Sequence, residues 1–459
     1  MELSNMKILL IWPPSPDYCV LTEDFSCCEP LPLEYLGAPL MDKYDIDIID
    51  MRFEKDDIRT IIKKTNPNLI GLSVPYSVVV HTCNRLLEAI KNDFPAIKIV
   101  IGGHHPTVTL YHLNLEYVDY ILTGEAVETF HSLVDNLSDN KPLIDIPNLY
   151  YYNHDGKLQF TYSKDIESID VFPAPDRKLL KKYSNLYFHA HYDPVSLIRF
   201  SYGCPYNCSF CILWKLCNRR YLTRQNEKII EELKSISNKN IYVVDDEAFI
   251  DVKKMHALAD RINEAKIQKK YHMYVRSDSV VRNPDLFKKW AEIGLDSVLI
   301  GLESIYEKEL KIYRKKISLN MAYQCVEILH SYGIEIRANF IVRQDYTKVD
   351  FANLLKEVKR LNIDRPTFAV LTPFFGTDDY FRLKDQFIIN KLEFFDCFHT
   401  FLKTELPLKE FYFEFANLFK YSAERKSKGA IFYEGKNSSF DSFINKIQSS
   451  YEYYENYNK

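Results

Sequence analysis

The sequence predicts an α/β chain in which a doubly wound parallel sheet is followed by a partial barrel and a small helical C-terminal region. Three observations carry this. Residues 7 to about 137 alternate short apolar runs (KILLIW, DIDIID, NLIGLS, KIVIGG, VDYILTG) with amphipathic stretches such as VVVHTCNRLLEAIKNDF, the pattern of a sheet covered by helices on both faces. From residue 195 the alternation resumes at longer spacing through VSLIRF, IYVVDD, YHMYVR, SVLIGLES, IEIRANFIV and RPTFAVLTP; these six strand and helix units are too few for a closed eight-fold barrel. With 459 residues, the chain also exceeds one ordinary core.

The boundaries follow from where the alternation stops. Residues 1–140 make the first sheet. Residues 141–190 change character, with NLYYYNHDGKLQF reading as a hairpin about HDG and VFPAPDRKLL as a proline-marked linker. Residues 191–380 make the barrel, whose segment NPDLFKKWAEIGL reads as a helix because Leu286, Phe287, Trp290 and Ile293 recur at three- and four-residue steps. Residues 381–459 are read as helical and aromatic through FFDCFHTFLKTELPLKEFYFEFANLFKY, then polar; the last twenty residues are either disordered or a cap on the active site. The stripe Phe394, Phe395, Phe398, Phe401, Phe411, Tyr412, Phe413 and Phe415 is expected to be the core of a helical cap. The wall of an apolar cavity, or a peripheral membrane contact, is the alternative.

Composition narrows the function. A chain that is 46% hydrophobic and 27% charged, with net charge -4, reads as soluble and globular, and carries no basic excess for gripping nucleic acid phosphates. The N-terminal apolar run stops at two prolines after six residues, too short for a signal segment or a membrane span, so a cytoplasmic protein is expected. Ten cysteines, most of them scattered, suit a reducing compartment and a metal or redox site better than a disulfide framework.

Three of those cysteines are not scattered. Cys204, Cys208 and Cys211 sit in SYGCPYNCSFCILWK, directly after the first barrel strand, at the edge where barrel folds place their chemistry. Structural zinc closes with four ligands, usually as two pairs, and the nearest candidates for a fourth, His191 and Cys217, stand at no usual pair spacing. An iron-sulfur cluster fits better: three thiolates on four irons leave one iron open. Cys217 lies outside the trio and is read as a buried bystander.

The spacing Cys204-x3-Cys208-x2-Cys211, with Tyr206 and Phe210 between the cysteines, resembles the signature of the radical S-adenosylmethionine (SAM) superfamily. The resemblance implies a [4Fe-4S] cluster whose open iron chelates SAM. It also implies reductive cleavage to a 5'-deoxyadenosyl radical, and an electron donor such as flavodoxin or ferredoxin. It assigns SAM contacts to later strand ends: Asp245, Asp246 or Glu247 of VVDDEAF to the ammonium, Arg276 to the carboxylate, Glu303 and Ser304 of IGLES to the ribose. LTPFFGT, with Thr372, falls to the adenine. Each taken singly reads equally well as a solvated charge or a helix cap; their common barrel edge favours the shared role.

GGHHPT and VDYILTGEAVETF resemble the last two strand ends of a cobalamin-binding module. This implies cobalamin contacts from Ser73, Gly102, Gly103, His104, Gly124 and Glu125. No Asp-x-His-x-x-Gly run is present to supply a lower axial histidine, which leaves Tyr76 as the side chain to watch; His104 and His105 otherwise read as ordinary strand-end histidines. From EPLPLEYLGAPL to HTFLKTELPLKEFY the sequence resembles the hopanoid C-3 methylase family, implying methyl transfer to an unactivated carbon of a small, possibly lipid, substrate such as a triterpenoid. PFFGT and GEAVE depart from that family's pattern. Two other functions remain: oxidative cyclisation or rearrangement with the same cofactors, and a non-catalytic cobalamin or iron-sulfur sensor.

Overall fold

The computed structural model describes residues 6–16, 20, 26–424 and 440–457. It divides into two units, residues 1–19 with 29–185, and residues 20–28 with 186–459.

In the first unit, Lys7–Trp12 (β1), Asp45–Asp50 (β2), Leu69–Ser73 (β3), Lys98–Gly102 (β4) and Tyr120–Leu122 (β5) pair in parallel in the order 2-1-3-4-5. Ile8 to Ile11 are at most 1% exposed, as expected of a strand covered on both faces and therefore apolar throughout. The order reverses between β1 and β3. In doubly wound sheets, ligands bind at the carboxyl ends of the strands beside such a switch point.

The hairpin about HDG forms, and it belongs to the first sheet. Leu149–Tyr152 (β6) and Leu158–Phe160 (β7) add two antiparallel strands to the first sheet, with Tyr120 opposite Tyr151. The chain can dock there because β5 is the outermost parallel strand, and the Thr123 N–H donates to the Asn148 carbonyl at 3.0 Å just before β6.

In the second unit, Val195–Ile198 (β8), Asn240–Val243 (β9), Lys270–Val275 (β10), Leu295–Glu303 (β11), Glu335–Val342 (β12) and Arg365–Val370 (β13) pair in parallel in strict sequence order. This is the six-stranded partial barrel. Alternation sends Tyr271 and Met273 toward the helices and His272 and Tyr274 inward.

The inner face is polar and layered. Near the strand starts, Arg365 donates to Glu335 at 2.7 Å, both side chains 1% exposed. One layer up, the Arg337 guanidinium lies 2.7 Å from His189 Nε2 and 3.2 Å from His272 Nε2. Burial and the Arg337 charge hold both imidazoles well below the usual histidine range. They are therefore neutral, and their Nε2 lone pairs accept from Arg337 while Nδ1 meets Ser26 Oγ at 2.7 Å and Ser297 Oγ at 2.6 Å. His191 belongs to this same end, where the charges of Glu335, Arg365 and Asp296 act on it. That is the end of the strands opposite the cysteines, so His191 is no fourth ligand.

The C-terminal region is helical only in part. After a single turn at Leu392–Phe394 the chain runs irregularly to Pro407, and Leu408–Glu424 is the first long helix, followed by Phe440–Ser449 and Glu452–Tyr457. Asp396 explains the interruption: its carboxylate accepts from the N–H groups of Phe398 and His399 and from the His399 ring, side-chain bonds that compete with helical ones. The aromatic stripe is core, with Phe394, Phe395, Phe398, Phe401, Phe411, Tyr412 and Phe415 no more than 4% exposed; Phe413, at 51%, is the exception. Among the described residues no helix is long and apolar enough to cross a membrane.

The buried Glu335–Arg365 pair yields a stability prediction. Glu335→Ala is expected to cost about 3–5 kcal/mol in chemical denaturation by breaking the ion pair, while the double replacement by Met and Leu recovers most of that loss.

Candidate functional site

The cysteine loop starts where β8 ends, and its departure point is fixed by Asp245 at the end of β9. The Asp245 carboxylate accepts from the Phe200 N–H at 2.8 Å and from the Ser201 hydroxyl at 2.5 Å. Ser201–Tyr202 then pairs antiparallel with Leu222–Thr223, closing the loop at its base. Gly203 turns the chain with φ +88°; a Cβ here would stand 2.4 Å from the Arg220 carbonyl oxygen and 3.0 Å from the Cys217 sulfur. No other residue type fits.

Each part of the loop is then held separately. The Cys204 N–H points at Cys217 Sγ, 3.3 Å away. Tyr206 lies under the Arg276 guanidinium, 3.7 Å from carbon to ring centroid. Trp214 Nε1 donates to the Cys208 carbonyl at 3.0 Å, and Ser209 donates through its N–H to the Tyr313 carbonyl and through its hydroxyl to Asp379. Cys208 is buried, Cys204 and Cys211 half-buried, and all three are free thiols. Burial pushes the Cys204 and Cys211 thiols up to about 12. Among the described residues no three His, Cys, Asp or Glu side chains are grouped to hold one metal ion. A cubane cluster does not need that, because each thiolate takes a different iron.

Beside the loop lie groups suited to a charged ligand. Glu247 is 1% exposed; one carboxylate oxygen accepts from Ser279 at 2.9 Å, and the other has no hydrogen-bond partner. Burial raises its carboxyl to about 7, and that of Asp246 to about 6. The Ser277 hydroxyl is likewise buried without a partner. A buried carboxylate oxygen and hydroxyl left unpaired at a strand edge fit a ligand carrying an ammonium group.

The structure assigns several candidates prior duties. Asp245 anchors the loop rather than facing outward. Arg276 donates to Asp278 at 2.8 Å and to the Lys315 carbonyl at 2.7 Å, besides covering Tyr206. Glu303, with φ +66°, takes the buried Lys315 ammonium at 2.7 Å. Ser304 donates to Glu309 at 2.5 Å and Thr372 to the Val370 carbonyl at 3.0 Å. Sequence reasoning missed Lys315, Asp278, Ser277 and Glu309. Lys315 hides in the run Arg314, Lys315, Lys316, which looks like a solvated surface yet places its middle member 7% exposed.

In the first unit, Gly103 has φ +122°, and a Cβ on it would meet the Val74 carbonyl oxygen at 2.6 Å. Gly124 donates its N–H to Thr107 Oγ at 2.9 Å. His105 is committed, with Nδ1 3.0 Å from Ser77 Oγ and Nε2 3.2 Å from the Tyr111 carbonyl, and burial lowers it to about 4. His104 is exposed and meets the ring of Tyr76, itself 57% exposed, edge-on. Ser73, Gly102 and Gly103 thus end or follow β3 and β4 at the ligand-binding edge, with a close backbone approach at Gly103.

Comparison with known proteins matches two stretches of the chain. Residues 198–372 match the radical SAM superfamily and residues 19–134 the B12 binding domain. The chain therefore carries a B12 binding domain followed by a radical SAM domain. It is 29% identical to the hopanoid C-3 methylase of Methylococcus capsulatus, over 89% of this chain and 78% of that protein. It is 24% identical to an anaerobic magnesium-protoporphyrin IX monomethyl ester cyclase of Rubrivivax gelatinosus, over 76% and 64% of the two chains. Its fold matches the radical SAM methyltransferase TsrM of Kitasatospora setae, solved with cobalamin and a [4Fe-4S] cluster, with TM-score 0.69, 16% identity and coverage of 83% and 78%.

The geometry at Gly203 yields a prediction for cluster loading. Gly203→Ala is expected to lose most of its cluster iron on anaerobic reconstitution, since the left-handed backbone alone costs roughly 1–2 kcal/mol before any clash. Gly156→Ala, with φ +72° and nothing within 4 Å, carries the same backbone penalty without the contact and should keep its iron.

Proposed function

We propose that this enzyme is a C-methyltransferase acting on an unactivated carbon of a small molecule. The observation that carries the reading is the pinned three-cysteine loop with the unpartnered Glu247 oxygen beside it, in a chain that also carries a B12 binding domain. When bound, SAM on the cluster is a source of hydrogen-abstracting radicals, and cobalamin is a carrier of methyl groups.

The chain's own residues divide the remaining work. Cys204, Cys208 and Cys211 would hold three irons. Glu247, with Asp246, would take the SAM ammonium; Arg276, already fixed by Asp278, has donors left for a carboxylate, and the Glu303–Lys315 pair stands at the strand end read as the ribose contact. Ser73, Tyr76, Gly102, Gly103, His104, Gly124 and Glu125 would hold the cobalamin. Reducing equivalents would come from a flavodoxin or ferredoxin in the cytoplasm.

The hopanoid methylase resemblance supplies a test substrate, a hopanoid. The burial of seven of the eight tail aromatics leaves Phe413 as the one member of that stripe available to a lipid face. Two other outcomes stay measurable. A gain of one methylene unit in the product marks methyl transfer; loss of hydrogens without that gain marks the cyclisation suggested by the cyclase relative. With an intact cluster and dithionite, wild type is expected to form 5'-deoxyadenosine; none at all would mean a sensor. Lipid and metabolite mass spectra of cells with and without the gene are expected to differ by a methylated species that vanishes on deletion.

The role of Glu247 carries its own pH signature. Its carboxyl titrates near 7 because burial disfavours the charge, so it is neutral below that pH and ionised above it. Attraction for an ammonium ion should therefore grow as pH rises through 7. Equilibrium dialysis on cluster-loaded protein is expected to show tighter SAM binding at pH 8 than at pH 6. Glu247→Gln should bind about tenfold more weakly at pH 8 and lose the pH dependence. Parallel pH curves for the two proteins would remove Glu247 from the SAM site.

A further inference from the structure

We propose that Cys217, outside the three-cysteine motif, is a positioning residue that occupies the peptide N–H of Cys204, holding the first leg of the cluster loop and keeping the cluster's reduction potential low. The assignment rests on the cysteine loop being the cluster site. Cys217 follows the short helical turn Leu213–Leu216, where its N–H donates to the Leu213 carbonyl at 3.2 Å and its carbonyl accepts from the Arg220 N–H at 2.9 Å. The turn thereby folds back over the loop and brings the buried Cys217 sulfur against its start.

Three contacts meet at that sulfur. The Cys204 N–H donates to it at 3.3 Å, and its own S–H has the carbonyls of Cys204 at 3.7 Å and Trp214 at 3.6 Å as acceptors. Gly203 makes the approach possible, since a Cβ there would stand 3.0 Å from both Cβ and Sγ of Cys217. The thiol thus accepts from the Cys204 N–H, and its one proton has the Cys204 carbonyl as one of two acceptors. This is not the geometry of a fourth cluster ligand, whose sulfur would face iron instead of the peptide. Alanine would keep the Cβ contact beside Gly203 and remove the sulfur together with its hydrogen bonds.

The consequence for the cluster is electrostatic. Hydrogen bonds donated to cluster sulfur stabilise the reduced, more negative state and raise the potential. An N–H on the first residue of the motif is well placed to do so, and Cys217 diverts it. Without Cys217 that donor has no protein acceptor and is available to a cluster sulfur, which would make the cluster easier to reduce and a weaker electron donor.

The test compares wild type, Cys217→Ala and Cys217→Ser, each reconstituted anaerobically with iron and sulfide. Iron content and the midpoint potential of the cluster by EPR-monitored titration are the readouts. Wild type and Cys217→Ser, whose hydroxyl also accepts and donates, are expected to share iron content and potential. Cys217→Ala is expected to load the same iron but titrate higher by at least about 59 mV, a tenfold change in the one-electron equilibrium. An unchanged potential in Cys217→Ala overturns the proposal. If Cys217→Ala fails to hold a cluster, serine decides: rescue of iron content and potential supports the positioning role, and equal failure of serine overturns it. Failure of wild type to load a cluster would count against the cluster reading itself, a result distinct from any difference among the variants.

Discussion

The Asp245 carboxylate, 2% exposed between β8 and β9, takes the Phe200 N–H and the Ser201 hydroxyl at the point where the chain leaves the barrel. Everything downstream depends on this attachment. It sets the start of the cysteine loop relative to the second strand, and the same VVDDEAF segment carries Asp246 and Glu247. The group that anchors the loop and the groups that would meet its ligand are therefore consecutive in sequence and fixed by one strand end. Burial raises Asp245 to about 6 even against its hydrogen bonds, a sign that the attachment sits in a poorly solvated place, where an unmade hydrogen bond is costly.

Beneath this edge the barrel is filled by a layered polar core, not a purely apolar one. Arg365 with Glu335, and Arg337 with two neutral imidazoles, lock the inner faces of β10, β12 and β13 together. Such networks are directional, so they fix strand register where simple apolar packing would tolerate slippage. A rigid floor suits a site that must hold its ligand groups in set positions. Radical chemistry also requires that solvent stay out, and the buried Phe394, Phe395, Phe398 and Phe401 make the segment after β13 dense on that side.

Much of this was legible in the sequence, for identifiable reasons. The parallel strands announce themselves as apolar runs because both of their faces are covered, and the cysteine trio stands out because its count suits neither disulfides nor a closed metal site. The hairpin's place was not legible: HDG marks a turn, but nothing local says that the strands flanking it will extend β5. The aromatic tail looked helical because its periodicity is set by burial, whereas the Asp396 carboxylate breaks the helix through bonds to its own backbone. Lys315 went unread and Cys217 was read only as a buried bystander, for one reason. Each is judged by its neighbours in sequence, a charge run and a non-motif cysteine, while its role comes from a partner brought by folding, Glu303 in one case and the Cys204 peptide in the other.

The central claim is that three pinned cysteines leave one iron free to bind SAM. The most direct measurement is the EPR spectrum of the dithionite-reduced, reconstituted enzyme before and after SAM is added. The predicted result is a four-iron signal whose g values shift on adding SAM and which disappears in Cys208→Ala. A four-iron signal indifferent to SAM, or one that survives loss of Cys208, would contradict the claim.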